Sequence, residues 1–193
     1  MTRLHDLVIE RVPSAAGQLR VLDAGCGLGG TMLALAKVRG CSCVGVTLSP
    51  TQAATANAAA ARAGVGHLVQ ANVRSYDDPP AGPFDLVVAI ESLAHSPDPA
   101  RSVRALALTL APGGGVLVID DMPLASALGT TDLERFKRGW QCPVLWTRRE
   151  YLDAFDAAGL QVVDDVDLTG DCRPRSFTGI QWLMGLNRLA HLL

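Results

Sequence analysis

The feature that most constrains this chain is a repeated exchange between two hydrophobic periods. Short runs rich in β-branched and aliphatic residues, Arg20 to Ala24, Ser42 to Thr47, His67 to Ala71, Phe84 to Ala89 and Gly115 to Ile119, alternate with stretches at helical spacing, Thr31 to Val38, Thr51 to Ala63 and Ala100 to Leu110. Parallel strands cannot be joined by a tight hairpin and need a long crossover, usually a helix. The alternation therefore predicts βαβ units around a parallel sheet, an α/β fold with five strands placed in order. A short amphipathic helix, Leu4 to Val12, lies within the N-terminal segment 1–18, and Pro112-Gly113-Gly114 reads as the turn into the fifth strand. The less regular stretch from Asp121 to Thr147 reads as a connection over the active site. A helix at Arg148 to Ala158, a strand at Leu160 to Val166 and an apolar helix from Phe177 to Leu193 complete the expectation.

Length and composition narrow the class further. A chain of 193 residues suits one domain, 1–193, with a largely aliphatic core, since aromatics are only 5%. A net charge of -2 with scattered Lys and Arg supplies no basic stripe, which disfavours a nucleic acid partner. No run approaches the roughly 18 consecutive apolar residues of a membrane span, and Met1-Thr2-Arg3-Leu4-His5-Asp6 lacks the plan of a signal peptide. Cys26, Cys41, Cys43, Cys142 and Cys172 are odd in number with no CxxC pair, so reduced thiols in a soluble, cytoplasmic protein are expected. His5 and His67 have no partners at metal-ligand spacing, and no metal is expected.

The first strand runs into a glycine-rich turn, Val21-Leu22-Asp23-Ala24-Gly25-Cys26-Gly27-Leu28-Gly29-Gly30. Such a turn lets the backbone approach a ligand closely ahead of a helix N-terminus. Gly25, Gly27 and Gly30 also satisfy the GxGxxG spacing of dinucleotide sites, so spacing alone admits a nicotinamide or flavin cofactor. Asp23 discriminates, because a carboxylate there repels a pyrophosphate and attracts a cationic ligand. An ammonium such as that of S-adenosylmethionine reverses the sign of the problem. The plainer reading of Asp23 is a cap on its own turn.

The second strand continues as Gly45-Val46-Thr47-Leu48-Ser49-Pro50-Thr51-Gln52, which resembles the GxTLSxxQ signature of one group of class I S-adenosylmethionine-dependent methyltransferases. That group includes the tocopherol, sterol and cyclopropane fatty acid synthase-like enzymes of small molecules. The resemblance implies a Rossmann-like, doubly wound, mainly parallel sheet, S-adenosyl-L-methionine as cofactor and S-adenosyl-L-homocysteine as its product. It assigns Thr47 and Gln52 to the ribose, where many related folds use an acid. Asn72 takes the place of the usual Asp at the adenine amino group, and its amide oxygen still accepts a hydrogen bond. The implied cofactor set is Asp23, Gly25, Cys26, Gly27, Thr47, Leu48, Gln52, Asn72, Val73 and Ile90.

After the fourth strand, Glu91-Ser92-Leu93-Ala94-His95-Ser96-Pro97-Asp98 resembles the ExxxHxPD element of the same group, which makes Glu91 and His95 the candidate catalytic residues. If the loop makes one helical turn, the two share a face. His95 suits proton removal near neutrality, and Glu91 could serve as base or steady a cation. Asp98-Pro99 reads as the start of a helix, and Asp77-Asp78-Pro79-Pro80 as a solvated turn. Trp140, Trp146, Tyr76 and Phe177 are candidates for lining an apolar pocket, although such residues more often belong to the core.

The match runs from about Val21 to Asp121 and fades beyond. The first strand begins already at Arg20, where the resembling enzymes carry a longer cap, and their last, seventh strand is not visible here. A shortened sheet is therefore expected, and an apolar face on Phe177 to Leu193 would favour a homo-oligomer. The partner implied is a small, apolar methyl acceptor through carbon, oxygen or nitrogen. Two other classes stay open: a cofactor-binding but silent accessory subunit, and an NAD(P)-dependent oxidoreductase.

Overall fold

The structure, a computed structural model, describes residues 2–12 and 17–169. The helix expected at Phe177 to Leu193, and self-association through it, lie outside the described residues. The chain divides into two compact units, Met1–Gln161 and Val162–Leu193. In the second unit, residues 162–168 run without helix or strand.

The first unit is built on five parallel strands, β1 (Arg20–Ala24), β2 (Ser42–Thr47), β3 (Val69–Val73), β4 (Phe84–Ile90) and β5 (Leu110–Ile119), in the order β3-β2-β1-β4-β5. The order reverses between β1 and β4, and the crevice at such a reversal is where open α/β sheets hold ligands. Helices α1 (Thr2–Arg11), α2 (Gly30–Arg39) and α3 (Pro50–Arg62) cover one face. Their core joins Val8, Leu35 and Ala56 to Val21, Cys43 and Val88. On the other face, α4 (Pro99–Ala107) and α6 (Arg148–Ala157) pack Leu106, Val103 and Tyr151 against Leu22, Val46 and Val87. Period-two alternation along β1 and β2 thus feeds both cores, as burial on both faces requires.

Local chemistry accounts for the helix boundaries. The Ser49 side chain accepts from Gln52 N–H, with Pro50 in the first turn, and Asp98 caps α4 in the same way ahead of Pro99. Thr147 and Glu150 form a reciprocal capping box at α6. The alanines of α3 that face the sheet, Ala53, Ala56 and Ala60, are buried, so this helix lies close to it.

At the sheet edge, Asn57 of α3 accepts from Ala71 N–H (2.8 Å) and donates to Ala71 C=O (2.9 Å). A side chain thereby occupies the pairing groups of an edge strand that would otherwise recruit another chain. Asn57→Ala is expected to lower stability by about 1–3 kcal/mol, the cost of two net hydrogen bonds, and to favour aggregation. Thermal melts with light scattering check this; an unchanged melt would count against the clamp.

Three elements differ from the sequence expectation. The Pro112-Gly113-Gly114 turn is absorbed into β5, which pairs Phe84 with Leu110 and then Leu86 with Gly115 across an irregularity in register. Extra residues accommodated in a bulge keep the ladder going where a turn was expected. The connection Asp121 to Thr147 contains a further helix, α5 (Thr131–Trp140), capped by Thr130. The strand expected at Leu160 to Val166 does not form, and Val163 is almost fully exposed. A strand persists only where its N–H and C=O groups find a neighbour. No described helix is long and apolar enough to cross a membrane.

Candidate active site

The carboxyl ends of the strands bring the sequence motifs to one rim. Parallel pairing sets Asp23 level with Gly45 on one side and Val88 on the other, Thr47 beside Val73, and Ile90 beside Ile119. The glycine turn is tied back to β2, since Gly25 N–H and Cys26 N–H both donate to Val46 C=O at 3.0 and 2.9 Å. The Cys26 side chain points into the sheet, where it and Met32 fill the space left by Gly45. Burial pushes its thiol up to about 12, so Cys26 is neutral and contributes shape and backbone to the turn.

Asp23 is buried beneath this turn, and no side chain or backbone donor among the described residues bonds its carboxylate. The capping role considered for it is therefore absent. Burial alone pushes its pKa from 3.8 up to about 7. An isolated buried carboxylate is unfavourable unless something cationic completes it. The site therefore fits the ammonium of S-adenosylmethionine and disfavours a pyrophosphate.

Next along the rim, Thr47 Oγ1 donates to Gln52 Oε1 at 2.6 Å and accepts from Ser49 N–H at 3.2 Å. With its carbonyl occupied, Gln52 keeps its NH2 for a ligand oxygen. Thr47→Val and Gln52→Ala are each expected to weaken S-adenosylhomocysteine about fivefold, near 1 kcal/mol. The double variant should lose less than the sum because the two side chains bond one another. Calorimetric titration checks it, and strict additivity would argue against a shared ribose contact.

Asn72, one residue before the end of β3, accepts from Gln70 Nε2 at 3.3 Å through its amide oxygen, which leaves one lone pair for a further donor. Leu48 and Val73 are exposed, as is Leu28 of the glycine turn, so the rim presents apolar surface beside the polar groups. Leu28 was not singled out in the sequence. Its exposure at the head of the crevice is the signal, and only the structure carries it.

The chain leaves β4 through a sharp bend. Glu91 N–H still donates to Ile119 C=O at 2.7 Å, but Glu91 has φ 48, and a single 3-10 turn, Leu93–His95, follows. Glu91 therefore precedes that turn and does not stack with His95 as on one helix. No hydrogen bond joins the two side chains, and both are exposed. Ser92 anchors the bend from below, donating to Ala24 C=O at 2.7 Å against Gly25. His95 Nδ1 lies 3.4 Å from Gln141 C=O, and Ala94 packs with Cys142 and Leu145, so the Asp121–Thr147 connection reaches this bend.

Several contributors were not legible in advance. Asp77, read as part of a solvated turn, accepts a short hydrogen bond from the buried Ser102, whose hydroxyl also meets Ser96 at 2.8 Å. This chain ties the loop after β3 to the bend after β4. Tyr76, already a pocket candidate in the sequence, lies in the same loop and donates to Ser92 C=O at 3.1 Å, which places its ring at the mouth of the crevice. Asp120 and Tyr151 meet there too, at 2.9 Å.

Comparison with known proteins agrees with this geometry. Residues 2–165 match the methyltransferase domain family. The chain is 42% identical over 102 residues to tocopherol O-methyltransferase of Arabidopsis thaliana, covering 52% of this chain and 29% of that protein. It is 32% identical over 196 residues to 27-O-demethylrifamycin SV methyltransferase of Amycolatopsis mediterranei, covering 98% of this chain and 71% of that protein. It spans less than half the length of the tocopherol enzymes of Arabidopsis thaliana and Oryza sativa that it matches. Among solved structures, geranyl diphosphate C-methyltransferase from Streptomyces coelicolor A3(2) superposes with a TM-score of 0.82 at 24% identity, covering 88% of this chain and 64% of that one. The cyclase SpnF superposes at 0.73 with 30% identity, covering 84% and 57%. The parallel sheet order, the acidic glycine turn and a match over 2–165 together make this chain a member of the methyltransferase domain family, with the class I, Rossmann-like fold.

Proposed function

We propose that this chain transfers a methyl group from S-adenosylmethionine to a small, apolar acceptor. The observation that carries the reading is the uncompensated, buried Asp23 beneath the glycine turn, at the same rim as the Thr47–Gln52 pair. The cofactor, when bound, supplies a methyl group already activated on a sulfonium. Asp23 would hold its ammonium, Thr47 and Gln52 its ribose, and Asn72 with Leu48 and Val73 its adenine. With an activated donor, the protein's main task is to align the acceptor and exclude water. Tyr76, Trp146 and Met122 supply apolar surface on the side of α6, within the core that Tyr151 joins. For an oxygen or nitrogen acceptor His95 would take the proton, and for a carbon acceptor Glu91 would face the developing positive charge. Buried, unpaired thiols at Cys26, Cys41, Cys43 and Cys142 agree with a reducing compartment such as the cytoplasm.

A cyclase on the same fold shows that fold alone does not decide activity, so the acceptor reaction needs a direct test. Methyl-labelled S-adenosylmethionine is incubated with a panel of apolar alcohols, phenols, amines and isoprenoids. Label transfer that disappears in Asp23→Asn supports the proposal. Tight S-adenosylhomocysteine binding with no transfer to any acceptor would favour a silent subunit instead.

A further inference from the structure

The end of β5 holds an acid that the assignments above do not use. Asp120 directly follows Ile119, the strand partner of Ile90, and so lies alongside the bend after β4. Its Oδ2 accepts from Ala94 N–H at 2.9 Å and from the Tyr151 hydroxyl at 2.9 Å, while Oδ1 accepts from Asp121 N–H at 3.1 Å. Tyr151 is itself fixed, buried edge-on to Trp146 (5.5 Å between ring centres) and tilted against Phe155 (6.0 Å). Two of the bend's anchors stand on either side of Leu93. Ser92 ties it to β1 at the glycine turn, and Ala94 ties it through Asp120 to α6. His95 is the next residue after the second anchor, and the contact of its imidazole, to Gln141 C=O, is long.

Burial pushes the Asp120 carboxyl above its usual range, while the Tyr151 and backbone hydrogen bonds pull it back. An acid placed at such a cost, receiving three donors, is suited to holding backbone in place.

We propose that Asp120 is a positioning residue for the transfer: clamped by Tyr151, it holds Ala94 N–H and so sets where the His95 imidazole stands relative to the glycine turn and the acceptor. The inference rests on the reading above that the bend faces the acceptor.

The test follows the His95 ring signal by NMR in histidine-labelled protein, assigned with His95→Gln. Asp120→Ala is expected to shift that signal while S-adenosylhomocysteine affinity stays near wild type, because the Ser92 anchor remains. Asp120→Asn, whose amide oxygen can accept both bonds, is expected to restore the signal. Turnover should fall in the Ala variant by up to about 100-fold at unchanged KM for the cofactor, the scale of a misplacement near 1 Å. Should Asp120→Ala not fold, Tyr151→Phe keeps the ring packing, removes the clamp and is expected to move the same signal. An unmoved His95 signal in a folded Asp120→Ala or Tyr151→Phe protein would overturn the proposal, as would an Asn variant displaced as far as Ala. A moved signal together with undiminished turnover in His95→Gln would overturn only the acceptor-side reading of the bend.

Discussion

Replacing Asp23 by Asn should make the unliganded protein more stable and weaken its cofactor binding. Burial holds the Asp23 carboxyl near 7, against 3.8 for a free one. Its folded pKa is raised, so between about pH 4 and 7 the native state binds the proton more tightly than the unfolded chain. Stability therefore declines as pH rises through that window and stays at its reduced level above pH 7. At about 1.4 kcal/mol per pH unit the penalty is on the order of 4 kcal/mol, worth roughly 10 °C in melting temperature for a chain of this size. Asn does not ionise and avoids it. Melts of both proteins at pH 4, 6 and 8 should coincide at the acid end and separate at the alkaline end, with the variant higher. Parallel curves would mean that Asp23 finds a compensating partner in solution. In the same variant, S-adenosylhomocysteine affinity should fall about 100-fold at pH 8, where the wild type offers a full charge to the ligand ammonium. Wild-type affinity should itself weaken tenfold per pH unit below 7, because a proton must then leave as the ligand binds. Affinity independent of pH across that range would remove Asp23 from the ammonium site.

Gly25→Ala should be strongly damaging for the addition of a single methyl group. Gly25 has φ 90, and a Cβ there would stand 2.4 Å from Ser92 Cβ. Ser92 cannot withdraw, since its hydroxyl is held at 2.7 Å by Ala24 C=O and its backbone is part of the bend after β4. Backbone strain of about 1–3 kcal/mol adds to an overpacking cost of similar size. A loss of about 4 kcal/mol, near 10 °C in melting temperature, is expected together with loss of S-adenosylhomocysteine binding. Two companions separate the causes. Gly27→Ala also meets a positive φ, 51, but nothing lies within 4 Å of its Cβ, so only the strain of about 1 kcal/mol should register. In Gly25→Ala/Ser92→Gly the overlap is gone and the strain remains, so part of the stability should return. Equal damage from Gly25→Ala and Gly27→Ala would show that the Ser92 contact does not matter.

The two variants mark how far the sequence could be read. That Asp23 and Gly25 stand in a glycine-rich turn at the end of β1 was legible, and a carboxylate two residues ahead of the first glycine carries a sign that a pyrophosphate cannot meet. That Gly25 is held from below by Ser92 was not, since the two are brought together only when β1 and β4 become neighbours. The Thr47–Gln52 pair was readable as a motif because both residues lie within one strand-to-helix connection, where local geometry suffices. Glu91 and His95 were placed correctly in the bend after β4, yet the expected helical face gave way to an extended ladder contact at Glu91 followed by one 3-10 turn. The ladder contact comes from Ile119 on β5, which no local pattern announces.

By itself the sequence determined the α/β class, the five parallel strands in order and the start of α4 at Asp98-Pro99. Each of these depends on periodicity or on contacts a few residues apart, which side-chain type records directly. Only the tertiary structure decided that Leu160 to Val166 forms no strand, that Asn57 closes the β3 edge, that Asp77 is tied to Ser102, and that Asp120 joins Ala94 to Tyr151. These depend on which chain ends the sheet order brings together, and hydrogen-bond partners far apart in sequence leave no periodic trace in it.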